Sequence, residues 1–558
     1  MLARPPAATP PVFRPRQITY AGDIMRAVLS PDGEQIATLF RNSEGFRLSV
    51  RDLSGGRALE VARAEWMGPP TWSRDGATVR YVQREGTGFS IFAVPRLGGP
   101  ARRTGAVSLN INIATPSLSP DGTRLVQALP SPTGLQITNL ASGDTMLIPL
   151  AAPYTWVGDL AWSAQGDRLA VVTAGSDRNG WILLVLTPDD GGQFVLARDR
   201  WELGGAVFAP DGRALFYLRS AGRLKALMRQ RLDRRGAPVG PPVVVGTDLD
   251  LGPSTPDDVD PPRLSISDDG RHIAYVRREL ESNLRLLALE HRRAERDLTT
   301  GSGVNQHARF SPDDSAVAYV RSESRGVSLM RLRLESSRSI VVTAAEEIPD
   351  VAWSPEGRSI AALSQVGESG MGVTVVPLGI GVARRFGLGE VGSELTWLDP
   401  GRLVLQRPGN RSFALASVQT GRVVEMDQLR EQGFVFSPRV SPDGRWLAFS
   451  WNGHERTAGL YLASLRDTTV RLVDAAHDLE PLRWSRDGRI VYAAHRGLIR
   501  EVPEVYAYPV AGGPGRFLAR LPLGQIIEDI TRDGHRLLVR DEEQRSDVWL
   551  LEESPSSP

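Results

Sequence analysis

Large apolar residues recur along this chain at a near-constant interval, each just ahead of the same polar phrase. The series runs Leu29, Trp72, Leu118, Trp162, Phe208, Ile266, Phe310, Trp353, Trp397, Val440, Trp484 and Ile530. Two positions earlier stand Ala27, Pro70, Pro116, Leu160, Ala206, Leu264, Ala308, Val351, Leu395, Pro438 and Leu482, with Glu528 the polar exception. A period of two is that of a strand with one face buried. Each unit continues with an apolar second strand such as RHIAYV, a third such as SNLRLLALE and a short fourth such as RDLTTG. No segment carries a helical period, so the pattern predicts an all-β chain.

The phrase that follows each apolar residue is turn chemistry. In Ser441-Pro442-Asp443-Gly444, proline presets φ for the first corner, aspartate bonds its own backbone, and glycine accepts the left-handed conformation that closes the turn. The marker glycine or its equivalent falls at Gly33, Gly76, Gly122, Gly166, Gly212, Gly270, Asp314, Gly357, Gly401, Gly444, Gly488 and Gly534. Spacings are 43 to 46 residues except for one of 58, between Gly212 and Gly270. That gap holds a Pro/Asp-rich insertion at about 246–262, read as a long loop. Asp314 and Gly401 mark worn copies. Four strands in such a unit match a β-propeller blade of roughly 40–45 residues.

Twelve units exceed one ordinary propeller of about four to eight blades, so tandem rings are expected. Gln17–Tyr20 and Asp297–Thr300 have the form of fourth strands and would close two six-bladed rings, 16–292 and 293–553. A five-plus-seven division at the insertion is the rival. Residues 1–15 read as a Pro-rich linker and 554–558 as a disordered tail.

Bulk chemistry narrows the function only by exclusion. Net charge is +1 with 66 basic and 65 acidic residues, so neither nucleic acid nor an anionic membrane is implied as a partner. The chain lacks cysteine, which removes disulfides, thiolate metal sites and a cysteine nucleophile. No apolar run is long enough to span a bilayer and the start has no secretory h-region. A cytoplasmic location is the default, and an extracytoplasmic one follows if the chain belongs to a longer receptor.

The copies LSPDG at 29–33, WSRDG at 72–76 and 484–488, FAPDG at 208–212, WSPEG at 353–357 and VSPDG at 440–444 resemble the WD40-like repeat of TolB-type propellers. The opening ITYAGDIMRAVLSPDG and VPRLGGPARRTG at 95–106 look most like sensor propellers attached to bacterial serine/threonine kinases and membrane-tethered transcription regulators. The resemblance covers 16–553 and implies a binding role. Proteases that carry such propellers place a catalytic domain after the repeats, and here the repeats run on to the end. Kinase motifs are likewise missing.

Local motifs for catalysis are weak. Gly367-Glu368-Ser369-Gly370-Met371 has the wrong spacing for a nucleophile elbow. The histidines, His272, His291, His307, His454, His477, His495 and His535, show no metal-ligand spacing, and Asp248, Asp250, Asp257, Asp258 and Asp260 in the insertion match no calcium loop. No metal or cofactor is expected. The informative residues lie two and four before the turn serine in the second ring: His307, Arg309, Asp350, Glu394, Arg439, Arg483 and Asp529. Innermost strands surround a propeller's channel, so these charges gather where an anionic or peptide ligand docks, or else pair with one another. In the first ring the matching positions are mostly small or apolar: Val28, Thr71, Ser117, Ala161, Val207 and Ser265. The sequence therefore points to a non-catalytic ligand- or protein-binding sensor or scaffold. An enzyme with a site built from inter-blade loops, and the sensor fragment of a longer kinase or regulator, are the alternatives.

Overall fold

A computed structural model describes residues 13–42, 45–86, 88–107, 116–129, 134–150, 154–175, 180–199, 202–221, 224–250, 263–289, 293–323, 326–365, 371–388, 392–407, 412–426, 434–452, 457–467, 469–476, 478–495, 502–522 and 524–553. Its secondary structure is all strand, arranged as repeated four-stranded antiparallel sheets. This is the architecture of tandem β-propellers. Two compact units form, one from Met1–Glu279 with Gln544–Pro558, the other from Leu280–Glu543.

In each sheet the strands follow chain order, as in Ile24–Leu29, Gln35–Asn42, Gly45–Asp52 and Leu59–Ala64. Turn chemistry explains the first hairpin of each. Ser441 Oγ donates to Asp443 Oδ1 at 2.6 Å and accepts from Trp446 N, while Gly444 N donates to the Ser441 carbonyl. Gly444 sits at φ 67°. The same serine–aspartate bond recurs at Ser30, Ser73, Ser119, Ser267, Ser311 and Ser485. Of the two worn copies, Asp314 keeps the left-handed turn at φ 59°. At Gly401 the turn shortens instead, with Asp399 paired directly to Arg402.

The large residue before the serine links neighbouring sheets. Where it is tryptophan, its indole N–H reaches the carbonyl of the preceding sheet's innermost strand: Trp72 to Val28, Trp162 to Ser117, Trp353 to Arg309, Trp397 to Ala352 and Trp484 to Arg439, at 2.9–3.1 Å. Each of these indoles is thus a buried side chain whose one polar atom is hydrogen-bonded between sheets.

Ring closure differs from the sequence expectation in which strand goes where. The segment SNLRLLALE was expected as the third strand of the sixth repeat, after RHIAYV. Instead His272–Ala288 is one unbroken 17-residue strand whose first part belongs to the first unit and whose second part belongs to the second. Arg536–Glu553, 18 residues, divides likewise. The physical reason is the missing turn: RRELES and DEEQRS contain no glycine, proline or Asn-Gly step where other repeats reverse, so both strands run on.

The first unit is completed by Leu264–Ile266, the start of His272–Ala288, the end of Arg536–Glu553, and Phe13–Gln17. Glu553 N donates to the Arg271 carbonyl at 3.0 Å. The second is completed by Gln525–Ile530, the start of Arg536–Glu553, the end of His272–Ala288, and Arg293–Asp297. Observed boundaries therefore fall inside strands, at 279/280 and 543/544, and not at 292/293.

Two further expectations change. Residues 13–15, assigned to a linker, are strand: Phe13 is buried against Phe216, and Pro15 pairs with Leu551 on an outermost strand, where a missing N–H is tolerated. Residues 246–250, assigned to the insertion, are the end of strand Val243–Asp250. The remaining insertion at 251–262, residues 1–12, 366–370 and 554–558, and His291, His454 and His477 lie outside the described residues.

Candidate functional site

In the second unit, four of the seven expected residues, Arg309, Arg439, Arg483 and Asp529, line one cavity, and His307, Asp350 and Glu394 do not. Residues two before the turn position, Arg309, Ala352, Thr396, Arg439, Arg483 and Asp529, line a cavity of about 480 Å³ walled further by Trp353, Trp397 and the turn prolines. His307 lies in the bulge before Arg309, and Asp350 and Glu394 immediately precede the strands Val351–Trp353 and Leu395–Asp399.

The seven fall into distinct states. Arg483 is saturated. Its Nη2 donates to the Ser311 carbonyl at 2.7 Å and faces Asp314 Oδ1 at 3.0 Å, its Nη1 faces Asp529 Oδ2 at 3.3 Å, and its guanidinium covers the Phe310 ring. Asp529 is held in turn by the amides of Phe310 and Ile530. Arg309 donates to the Ala308 and Glu528 carbonyls and keeps two long ion pairs, 3.7 Å to Asp350 and 3.9 Å to Glu528.

Arg439 is different. It donates through Nε to the Leu482 carbonyl and through Nη1 to its neighbour Pro438, and among the described residues no carboxylate stands within 4.0 Å. Burial, with Arg309 nearby, lowers its pKa to about 10. Some of the charges therefore pair with one another, and Arg439 does not.

Of the three outside the cavity wall, Asp350 is buried and accepts from Leu395 N. Glu394 accepts from Ser437 N at 2.5 Å, while the Ser437 hydroxyl donates to Glu480 Oε2 at 2.5 Å. Burial, then Glu480 and Asp350, push Glu394 up to about 7. Burial holds the His307 imidazole down at about 4 against the pull of Asp350 and Glu528, so it is neutral at physiological pH.

Sequence reasoning missed Glu480, Glu528, Ser437 and Asp314. The signal it lacked is the β-bulge. Register slips between Gln306 and Arg309, Phe436 and Arg439, Pro481 and Arg483, and Ile527 and Asp529. One extra residue in each breaks the period of two, so Glu528, placed on the apolar face by parity, meets the channel charges Arg309 and His307. His307 and Ser437 take the strained left-handed conformation there, φ 52° and 53°. Asp314, a worn turn glycine, proves to be a partner of Arg483.

The first unit corrects the view of its channel as merely small and apolar. One layer below Val28, Thr71, Ser117, Ala161, Val207 and Ser265 lie Arg26, Asp159 and Arg263, all lining a cavity of about 450 Å³. These positions, four before the turn serine, were legible in the sequence.

Among the remaining expectations, His495 bonds Asp478 at 2.7 Å and His272 lies 3.8 Å from Asp269. Among the described residues, no three His, Cys, Asp or Glu side chains gather as metal ligands, and no helix is long and apolar enough to cross a membrane.

No family model and no curated protein matches the chain. Solved structures similar to it include a TolB protein from Agrobacterium tumefaciens, 17% identical over 47% of this chain and 98% of that one, TM-score 0.38. The β-propeller domain of Myceliophteria thermophila Cps50 (Swd1) is 12% identical over 66% and 100%, TM-score 0.30. An oligogalacturonate lyase solved with manganese is 12% identical over 80% and 98%, TM-score 0.25. Likeness at this level decides nothing between binding and catalysis. The chain is an all-β protein of repeated four-stranded antiparallel sheets, the architecture of tandem β-propellers.

Proposed function

We propose that this chain is a non-catalytic, protein- or ligand-binding tandem propeller, a sensor or scaffold whose second-unit channel receives an acidic segment of a partner. The observation that carries this reading is Arg439: a guanidinium lining an open cavity, with two donors on backbone carbonyls and no carboxylate at ion-pair distance among the described residues. Arg309 beside it holds its carboxylates only at 3.7 and 3.9 Å. A carboxylate can pair with the donors that the Leu482 and Pro438 carbonyls leave on such a fork. The partner is a protein or peptide, or a small anion of the same chemistry.

Calorimetric titration with a short poly-glutamate peptide tests it. Arg439→Ala should weaken binding at least about tenfold, and Arg439→Lys should recover only part, because the ammonium lacks the fork. Equal affinity in wild type and Arg439→Ala would defeat the proposal.

A further inference from the structure

Between the strands Met371–Pro377 and Arg384–Gly387 of the second unit runs a hairpin whose residues are Leu378-Gly379-Ile380-Gly381-Val382-Ala383. In the sheet before it the same hairpin is Leu334-Glu335-Ser336-Ser337, and in the sheet after it Val418-Gln419-Thr420-Gly421-Arg422. All three start on an apolar residue whose amide donates to the turn region of the sheet's first hairpin: Leu334 to the Ser315 carbonyl, Leu378 to Arg358 and Val418 to Gly401. Past that root the sister hairpins are polar, so the fold has no need of the two aliphatic side chains that this one carries.

The root is fixed and the tip is bare. Leu378 packs against the core cluster that holds Val351, Trp353 and Ile360, and from Gly379 to Arg385 every residue is exposed. Gly381 folds back on Pro377, where a Cβ would stand 2.9 Å from the ring Cγ. On either side of it Ile380 and Val382 are 110% and 87% exposed. Single apolar residues dot any surface, but two at one tip mark a contact. Arg384 and Arg385 follow directly, both exposed, and among the described residues no carboxylate stands within 4.0 Å of either. As successive strand residues they point to opposite faces, one guanidinium on each side below the tip. The stretch 371–388 contains no acidic residue.

A convex aliphatic tip above two unpaired cations matches the layering of an anionic bilayer, negative headgroups over acyl chains, and a fluid layer needs no pre-shaped pocket to receive it. The net charge of +1 gives the chain as a whole no attraction to such a surface, so attachment rests on this one element. We propose that the hairpin docks the second unit onto an anionic membrane surface, with Ile380 and Val382 entering the boundary between headgroups and acyl chains and Arg384 and Arg385 pairing with lipid phosphates. The contact is peripheral and spans nothing. Apolar and basic signals together give stable but reversible binding where either alone is marginal. This surface is independent of the acidic-segment site assigned to the channel.

Co-sedimentation of the full chain with vesicles tests it, using equal parts phosphatidylcholine and phosphatidylglycerol in one set and phosphatidylcholine alone in the other. Binding should be at least about tenfold tighter on the anionic set and should weaken as salt screens the arginines. The double variant Arg384→Gln, Arg385→Gln should bind roughly 25-fold more weakly, about fivefold for each cation near such a surface. Ile380→Ser with Val382→Ser should lose at least about tenfold. All four side chains are exposed, so both variants should melt as wild type does. No binding at millimolar anionic lipid, equal binding to phosphatidylcholine alone, or a serine variant that binds like wild type would each overturn the proposal. So would capture of the chain by immobilised poly-glutamate that is lost in the Arg384→Gln, Arg385→Gln variant while vesicles stay unbound, which would assign the hairpin to an acidic protein instead.

Discussion

Ending the chain at Arg545 should unfold the first unit, which holds the N-terminus, and spare the second, where the deleted residues' neighbours in sequence lie. The last residues supply the first unit's closing strand. Val548, Leu550 and Leu551 are 0%, 1% and 1% exposed there. At about 1.5–3 kcal/mol for each fully buried aliphatic side chain, their loss removes roughly 5–9 kcal/mol. The five residue pairs with Phe13–Gln17 and the bond from Val548 N to Thr19 Oγ1 go too. A whole domain is stable by only about 5–15 kcal/mol, so the unit should not survive. Limited proteolysis with mass spectrometry reads the result: cleavage spreads through 24–279 while a fragment near 280–543 persists, and one thermal transition disappears. A protected fragment spanning 24–279 with wild-type melting would refute the exchanged closure. An uninterrupted second ring over 293–553 makes the opposite prediction, damage to the second unit.

Three other outcomes follow. Arg483→Ala strands Asp314 and Asp529 and should cost about 3–5 kcal/mol in urea unfolding, whereas Arg439→Ala, with no close carboxylate left behind, should unfold near wild type. Trp353→Phe leaves the Arg309 carbonyl without its indole donor and should cost about 1–3 kcal/mol, read as a lower thermal midpoint. Two pH dependences of opposite sign are expected. Asp443 and Asp533 are exposed turn residues; the neighbouring protein displaces some of their water, which alone would raise them, yet their turn hydroxyls and amides leave both below the ordinary carboxylate range. Asp487 is lowered chiefly by the Ser485 hydroxyl. Such groups bind fewer protons folded than unfolded, so their stabilisation is full above about pH 4 and fades as pH falls through the folded values; Ser441→Ala should flatten that acid limb. Glu394, raised to about 7, favours folding below about pH 4.5 and loses that contribution as pH rises through 7. Glu394→Gln should therefore gain stability over wild type at pH 8 and match it at pH 4.

Much of this molecule was legible in one sequence because its information is local. A Ser-Pro-Asp-Gly turn states its own hydrogen bonds, and a period of two states which face is buried; hence the repeats, the all-β class and the channel arginines Arg309, Arg439 and Arg483 could be read directly. Bulges defeat the same rule. An inserted residue costs nothing in the pattern of letters but reverses the face of everything before it, which hid Glu480 and Glu528. Arg26, Asp159 and Arg263 were visible as charges and passed over because the neighbouring layer was apolar.

What the sequence by itself determined is the repeating unit: turn, strand order and buried face, all set by residues within one repeat. Only the tertiary structure decided which strands complete which ring, because strands 272–288 and 536–553 pair with segments hundreds of residues away and no local letter records the partner. It alone also separated Arg439 from Arg483. Both are arginines at the same position of the repeat, and the difference between a candidate ligand contact and a structural ion pair is whether Asp314 and Asp529, from other strands, arrive beside it.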